Sequence, residues 1–174
     1  FAAKLEKIEE VKSEIKNQKT AQRILTSIKS SDFVVKEVKQ QKKKRNPYPP
    51  YTTSKLQQAA YNVLHFPASK TMRVAQTLYE GVDIGSEGSV GLITYMRTDS
   101  VRISEGALKE TRQLIEKDYG KAYLPLKPNV YKSRKQAQEA HEAIRPAKVS
   151  RRPKDIEKYL TPDQCKLYTL IWNQ

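Results

Sequence analysis

Apolar and polar positions divide the chain into three parts, and the first part shows both strand and helix spacing. Alternation at Phe1, Ala3 and Leu5 predicts a half-buried strand, and apolar residues at helical spacing over 21–28 predict a helix. Residues 33–38 are β-branched and aromatic, which predicts a second strand. One helix and two strands bury little surface, so we expect this β-α-β unit to complete a sheet whose other strands lie outside the chain.

The second part is predicted to be helical, because its apolar residues recur at positions three and four apart. The predicted helices are one capped by Ser54 with Gln57 as its capping partner, one from about Ser69 to a stop at Gly81, and one from Ser104 to Gly120. Residues 81–88 contain three glycines and predict a loop between the last two helices.

The third part contains a helix predicted to begin after Thr161, with Pro162 at its first position and Gln164 as the capping partner. Its apolar residues lie on more than one side and continue to the end of the sequence. We therefore interpret the chain as an internal fragment of a longer protein. The predicted fold class is α+β, mainly helical, with parts at residues 1–50, 51–150 and 151–174.

The charge of the chain indicates what it binds. Lysine and arginine total 33 against 19 acidic residues, a net charge of +14 spread over the whole length, so we expect a polyanionic partner. Nucleic acid fits better than a membrane, because no apolar run approaches the roughly 20 residues that span a bilayer. The single cysteine, Cys165, is interpreted as a core thiol in a protein of the reducing cytosol.

Residues 42–50 combine a basic run with three prolines. Proline fixes φ and holds the preceding residue extended, so we predict a semi-rigid connector without helix. Two interpretations are open: a solvated linker, or a hinge whose cations lie near nucleic-acid phosphates.

Tyr95 and Arg97 are the first candidates for chemistry. The hydroxyl of a tyrosine has an unperturbed pKa of about 10, so a nucleophilic tyrosine needs a nearby cation. In an extended segment, residues two apart point to the same face, and Arg97 could then hold a phosphate oxygen beside the phenol. The alternative is an ordinary buried strand that runs into a polar turn at residues 98–100.

His141 and Arg145 are the second candidates. They lie in a predicted basic helix that ends before Pro146, and their spacing of four places them one turn apart on the same face. This face could contact a phosphate, because it combines a titratable ring with a fixed cation. The alternative is a surface histidine beside a solvated arginine.

The chain resembles the type IA DNA topoisomerases in four segments that have the order and spacing found in that family. These segments are residues 49–60, 72–80, 91–100 (GLITYMRTDS) and 138–146. Methionine at position 96 favours the bacterial topoisomerase I branch, because topoisomerase III members usually have proline there. Tyrosine recombinases and type IB enzymes place an HxxR pair ahead of their tyrosine. Here the histidine follows Tyr95 with the spacing HxxxR, which argues against both groups.

The resemblance implies a mechanism and roles for particular residues. Tyr95 would attack a phosphodiester of single-stranded DNA and form a 5′-phosphotyrosine link, so that strands are cleaved, passed and resealed without ATP and negative supercoils are relaxed. Arg97 would stabilise the developing charge, and His141 would contact the scissile region or help to position it. The residues expected to bind DNA are Thr98, Asp99, Ser100 and Arg145.

The resemblance also implies parts that the sequence lacks. The family uses Mg²⁺ held by an acidic toprim domain, and we find no such acidic cluster, so the metal ligands are expected outside the chain. Residues 1–50 would belong to a hinge domain, residues 51–150 to the tyrosine domain and residues 151–174 to a helical return segment. The expected partners are single-stranded or underwound DNA and the toprim and base domains of the parent protein, in the cytoplasm at the nucleoid. The chain alone is expected to be inactive.

An alternative from another class is a basic helical DNA-binding module without chemistry, in which Tyr95 stacks on bases. The charge and the helices fit both hypotheses. A weaker third possibility is an RNA-associated or ribosomal protein, which the charge permits and the motifs do not support.

Overall fold

The computed structural model describes residues 4–8, 10–43, 45–131 and 141–174. The chain forms two compact units, Phe1–Arg45 and Asn46–Gln174. The fold is α+β, as predicted, with helices and two small antiparallel sheets. In the described ranges, no helix combines the length and the apolar character that a membrane span requires.

The first unit contains a short hairpin followed by one helix. Strands β1 (Lys7–Ile8) and β2 (Val11–Lys12) pair antiparallel, and α1 (Gln18–Lys29) follows. The side chain of Asn17 caps α1 by accepting a hydrogen bond of 2.8 Å from the backbone N–H of Thr20. This cap satisfies one of the unpaired donors at the helix start and confirms the predicted helix.

The prediction of a strand over residues 33–38 is wrong, because the structure has no helix or strand there. Phe33 and Val34 are 78% and 84% exposed. A β-branched residue favours a strand only where its segment can pair with a neighbouring strand and bury one face. Among the described residues, this segment pairs with no strand. Of the other predicted strand, Phe1 and Ala3 lie outside the described residues and Leu5 precedes β1.

The second unit begins with irregular backbone over residues 46–50 and continues with helices and one hairpin. Its helices are α2 (Thr53–Leu64), α3 (Ala68–Glu80), α4 (Glu105–Tyr119), α5 (Pro153–Ile156) and α6 (Pro162–Trp172). Strands β3 (Val82–Asp83) and β4 (Ser89–Val90) pair antiparallel around a 3-10 turn at Gly85–Glu87. The loop predicted over residues 81–88 therefore contains β3 and the turn, and β4 follows it.

Capping and stop residues predicted the boundaries of four helices in the second unit, and the boundaries of three of them agree with the structure. Gly81 is the C-cap of α3, and α6 opens with the complete capping box of Thr161 and Gln164. Ser104 and Gly120 are the N-cap and C-cap of α4, although the Ser104 side chain makes no capping hydrogen bond. Helix α2 differs, because Thr52 and not Ser54 is its N-cap and accepts from the N–H of Lys55. Thr52, Thr53 and Ser54 are all able to cap a helix, so residue preference alone does not select among them.

The core of the second unit lies where α3 packs against α2 and α6. Leu56, Leu78 and Tyr168, one from each helix, are fully buried. Residues 151–174 therefore share a core with the helices before them, and the division predicted at residue 150 stays a prediction. Cys165, interpreted from the sequence as a core thiol, is only half-buried in α6.

Helix α6 also fixes the segment that precedes it. The buried hydroxyl of Tyr168 donates to the carbonyl of Arg151 at 2.8 Å, and the indole Nε1 of Trp172 donates to the carbonyl of Val149 at 3.0 Å. Burial raises the pKa of Tyr168 to about 12, against the opposing charge of Arg151. The hydroxyl therefore keeps its proton and its hydrogen bond over the ordinary pH range.

We expect Leu56→Ala to lower the free energy of unfolding by about 2–5 kcal/mol, because it leaves a cavity between three helices. The matched control on the same helix is Val63→Ala, since Val63 is 62% exposed and its loss should change stability by no more than about 0.5 kcal/mol. Urea unfolding followed by circular dichroism measures both. Equal losses in the two variants would contradict the packing described for α2.

Candidate active site

The segment from residue 95 to residue 100 alternates between exposed and buried side chains. Tyr95, Arg97 and Asp99 are exposed, whereas Met96, Thr98 and Ser100 are buried. Met96 is 1% exposed and belongs to the core, while Tyr95 is 43% exposed. The segment is thus anchored by every second side chain, and Tyr95 and Arg97 both reach solvent.

Thr53, at the start of α2, holds this segment from one side. Its hydroxyl contacts the carbonyls of Met96 and Thr98 at 2.7 and 3.1 Å and accepts from the N–H of Thr98 at 2.8 Å. The backbone N–H of Thr53 also donates to the carbonyl of Thr98 at 2.9 Å. A single residue therefore fixes the backbone on both sides of Arg97.

Residues 143–147 hold the tyrosine segment from the other side. The N–H of Thr94 donates to the carbonyl of Arg145, and the N–H of Ala147 donates to the carbonyl of Leu92, both at 2.9 Å. The hydroxyl of Thr94 donates to the carbonyl of Ala143 at 2.7 Å. These residues lie about 50 positions apart in the chain, and the contacts bring the two sequence motifs together.

The prediction that a helix carries His141 and Arg145 is wrong from residue 141 onwards. Residues 138–140 lie outside the described part of the chain. From 141 to 146 the backbone is not helical, and Ile144 forms an antiparallel bridge with Tyr51. Proline at position 146 disfavours helical backbone at Arg145. His141 and Arg145 are therefore not one helical turn apart.

Arg145 is engaged inside the protein. Its guanidinium contacts the Glu142 carboxylate through Nη2 at 2.6 Å and Nε at 3.1 Å, and its Nη1 donates to the carbonyl of Pro146 at 2.9 Å. Glu142 in turn accepts from the backbone N–H of Ser104 at 2.6 Å, at the start of α4. The predicted contact of Arg145 with DNA stays a prediction, and the contacts observed here are structural.

The pKa of Glu142 lies below its ordinary value because its partners favour the ionised form. Partial burial acts to raise that pKa, but the hydrogen bonds from Ser104 and Arg145 and the charge of Arg145 outweigh it. The carboxylate therefore stays ionised at neutral pH and ties the His141 segment to the N-terminus of α4.

Arg97, Asp99 and His141 line one open depression of about 490 Å³. Thr98, the N-cap residue Thr52 and the first two residues of α2, Thr53 and Ser54, complete its wall. Tyr95 is not part of this wall, and its ring lies against Tyr79 with centroids 5.3 Å apart. The arrangement offers two nitrogen-bearing side chains and a helix N-terminus to an anion, with an exposed tyrosine two residues from Arg97.

Ser100 has no access to solvent, since it is fully buried. Its hydroxyl accepts from the N–H of Arg102 at 3.1 Å, and its own N–H donates to the hydroxyl of Thr98 at 3.0 Å. Both side chains therefore shape the turn after Arg97. Their predicted contacts with DNA stay predictions.

The sequence interpretation missed three residues that position this site: Thr53, Tyr79 and Glu142. Thr53 stands in a run of possible caps, and Tyr79 is the residue before the last of α3. Glu142 directly follows His141, and its pairing with Arg145 three positions later is a local contact. The contacts of Thr53 with Thr98 and of Glu142 with Ser104 join residues 45 and 38 positions apart, so no pattern of spacing points to them.

Comparisons with known proteins agree on one family. A sequence model of the family described as DNA topoisomerase matches residues 2–174. The proteins called DNA topoisomerase 1 from Rickettsia bellii and Xylella fastidiosa are 51% and 47% identical to the chain over its whole length. The chain spans 22% of each of these relatives.

The structure is also similar to that of full-length topoisomerase I from Thermotoga maritima. The TM-score is 0.72 with 43% sequence identity, over 95% of this chain and 25% of the other.

We expect Glu142→Gln to weaken the dependence of stability on acid pH. The folded-state pKa lies below the ordinary 4.5, so the stabilisation is complete above that value and is lost as pH falls through the lowered pKa. Unfolding at about pH 7 and about pH 3 measures the difference. Glu110→Gln, which removes an exposed charge from α4, is the control. An unchanged pH dependence in Glu142→Gln would contradict the contacts described.

Proposed function

Because the chain belongs to the DNA topoisomerase family, we propose that it is the part of a type IA enzyme that carries the catalytic tyrosine. One observation carries the proposal: exposed Tyr95 lies two residues before exposed Arg97, and hydrogen bonds join this segment to the one that follows His141. The complete enzyme would relax negatively supercoiled DNA by cleaving, passing and resealing one strand.

In the cleavage step, the Oη of Tyr95 attacks the phosphorus of a DNA phosphodiester. The phenol loses its proton, the P–O3′ bond breaks, and the 3′ oxygen leaves as a hydroxyl after taking up a proton. A new phosphodiester joins Tyr95 to the 5′ phosphate of the downstream fragment, and the upstream fragment ends in the free 3′ hydroxyl. One phosphodiester replaces another, so resealing runs in reverse and requires no ATP.

Arg97 supplies the positive charge at this step. It is exposed, it lines the depression, and the N-terminus of α2 forms part of the same wall. A cation and a helix N-terminus attract a phosphate and stabilise charge as it develops, an effect that reaches roughly 3 kcal/mol when the groups are already in place. His141 contacts the scissile phosphate or the nucleotide beside it from the same depression.

The remaining predicted DNA contacts divide into two kinds. Thr98 and Asp99 line the depression and contact DNA next to Arg97. Ser100 and Arg145 are bonded within the protein and support DNA binding by holding the backbone that carries Arg97 and His141.

The parts that the chain needs follow from the family. Mg²⁺ assists these reactions, but in the described residues no group of three or more His, Cys, Asp or Glu side chains is placed to hold it. By resemblance to the family, the metal ligands would lie in the toprim domain of the complete enzyme. Residues 1–50 contribute to a hinge and residues 151–174 to the return towards the base, in a cytoplasmic enzyme bound to the nucleoid.

A second candidate is a DNA-binding module without chemistry. The tyrosine pair of Tyr79 and Tyr95 is half exposed and could stack on bases of single-stranded DNA. The net charge of +14 fits this function as well as it fits the enzyme.

In the complete protein that contains this chain, Tyr95→Phe should abolish the covalent adduct with a single-stranded oligonucleotide, because it removes the nucleophilic oxygen. The adduct should retain a label at the 3′ end of the oligonucleotide and release a label at the 5′ end, since the link is to the 5′ phosphate. Denaturing gel electrophoresis measures both.

Tyr61→Phe is the control, because Tyr61 is 63% exposed on α2 and its hydroxyl has no role in the reaction proposed. An adduct that persists in Tyr95→Phe would contradict the assignment of the nucleophile. A wild-type protein that binds the oligonucleotide and forms no adduct would favour the binding module.

A further inference from the structure

We propose that Tyr79 is a positioning residue that orients the phenol of Tyr95 for attack on DNA. This inference rests on the function proposed above. Tyr79 lies within residues 72–80, one of the four segments that resemble the family, and the sequence predicts no role for its side chain.

The two rings form an edge-to-face pair. Their centroids are 5.3 Å apart and their planes meet at 61°. This is within the geometry that aromatic pairs prefer, because the positive edge of one ring meets the negative face of the other. Tyr79 and Tyr95 remain 40% and 43% exposed, so the contact leaves part of each ring open to a ligand.

Rigid backbone fixes the position of Tyr79. Its neighbour Leu78 is fully buried in the core, and the carbonyl of Leu78 accepts from the N–H of Leu92 at 2.7 Å. A Cβ atom at Gly91 would lie 2.8 Å from the carbonyl oxygen of Tyr79, so glycine permits the close approach of these two segments. The end of α3 is thereby joined to the start of the tyrosine segment.

The backbone around Tyr95 is fixed independently. The N–H of Thr94 donates to the carbonyl of Arg145, and the carbonyl of Met96 accepts from the hydroxyl of Thr53. What these contacts leave undetermined is the rotation of the Tyr95 side chain about its two torsions. The Tyr79 ring blocks part of that rotation, so less orientational freedom is lost when Oη meets the phosphorus.

The chemistry of the contact indicates which variants retain it. The contact is between rings, so Tyr79→Phe keeps it, whereas Tyr79→Leu keeps apolar volume and loses the aromatic edge. Positioning affects the cleavage step and not the encounter with DNA. A base-stacking role for Tyr79 would instead lower the affinity for DNA.

The test uses the complete enzyme and a labelled single-stranded oligonucleotide. Single-turnover formation of the Tyr95 adduct at saturating DNA gives the cleavage rate, and fluorescence anisotropy in a Tyr95→Phe background gives Kd. We expect Tyr79→Phe to cleave within about twofold of wild type. Tyr79→Leu and Tyr79→Ala should cleave about tenfold more slowly, with Kd unchanged within about twofold.

The matched control is Tyr123→Leu. Among the described residues, Tyr123 forms a second tyrosine pair, with Tyr119 at 6.3 Å and 58°, and is 72% exposed. Its loss should change neither the cleavage rate nor Kd. Thermal unfolding of all variants shows which of them are folded, and Tyr79→Ala replaces Tyr79→Leu if the latter is not.

Three results overturn the inference. In the first, Tyr79→Leu and Tyr79→Ala cleave at the wild-type rate. In the second, their rate and their affinity fall together, which would make Tyr79 a base-stacking residue. In the third, Tyr79→Phe is as slow as Tyr79→Leu, which would assign the role to the hydroxyl. If the wild-type enzyme forms no adduct on Tyr95, the proposed function itself fails, and the two failures are therefore distinguishable.

Discussion

The candidate site depends on the hydrogen bonds that hold residues 143–147 between two other segments. Every backbone N–H in this stretch donates a hydrogen bond, and Pro146 has no N–H. The N–H groups of Ala143, Ile144 and Ala147 donate to the carbonyls of Arg102, Tyr51 and Leu92. The N–H of Arg145 donates to the hydroxyl of Thr94. A buried peptide group left unpaired costs free energy, so these partners specify one arrangement. That arrangement places His141 in the same depression as Arg97.

The two arginines of the motifs have different environments and therefore different roles. Arg145 is 17% exposed and bonded to Glu142, whose carboxylate it neutralises. Arg97 is exposed and lines the depression, where its charge is available to an anion. An arginine already paired in a partly buried site gains little from a phosphate, so in the proposed mechanism the electrostatic contribution to catalysis is assigned to Arg97.

Residue preferences in the sequence predicted correctly those helix ends that are set by contacts within a few residues. Gly81, Gly120 and the capping box of Thr161 end or begin helices through contacts within a few residues, and their predictions are confirmed. The helix predicted to carry His141 and Arg145 is not formed over residues 141–145, because distant groups, such as the carbonyl of Tyr51, bind N–H groups that a helix would use. The exposed positions of Tyr95 and Arg97 follow from burial of Met96, which spacing alone does not give.

The central claim is that Tyr95, Arg97 and His141 act on one phosphate. A crystal structure of the complete enzyme with Tyr95→Phe and a single-stranded oligonucleotide tests it most directly. The account predicts one backbone phosphate within hydrogen-bonding distance of Arg97, in the depression that His141 lines, with the ring at position 95 directed at its phosphorus. DNA bound elsewhere, with Arg97 and His141 facing only solvent, would contradict the account.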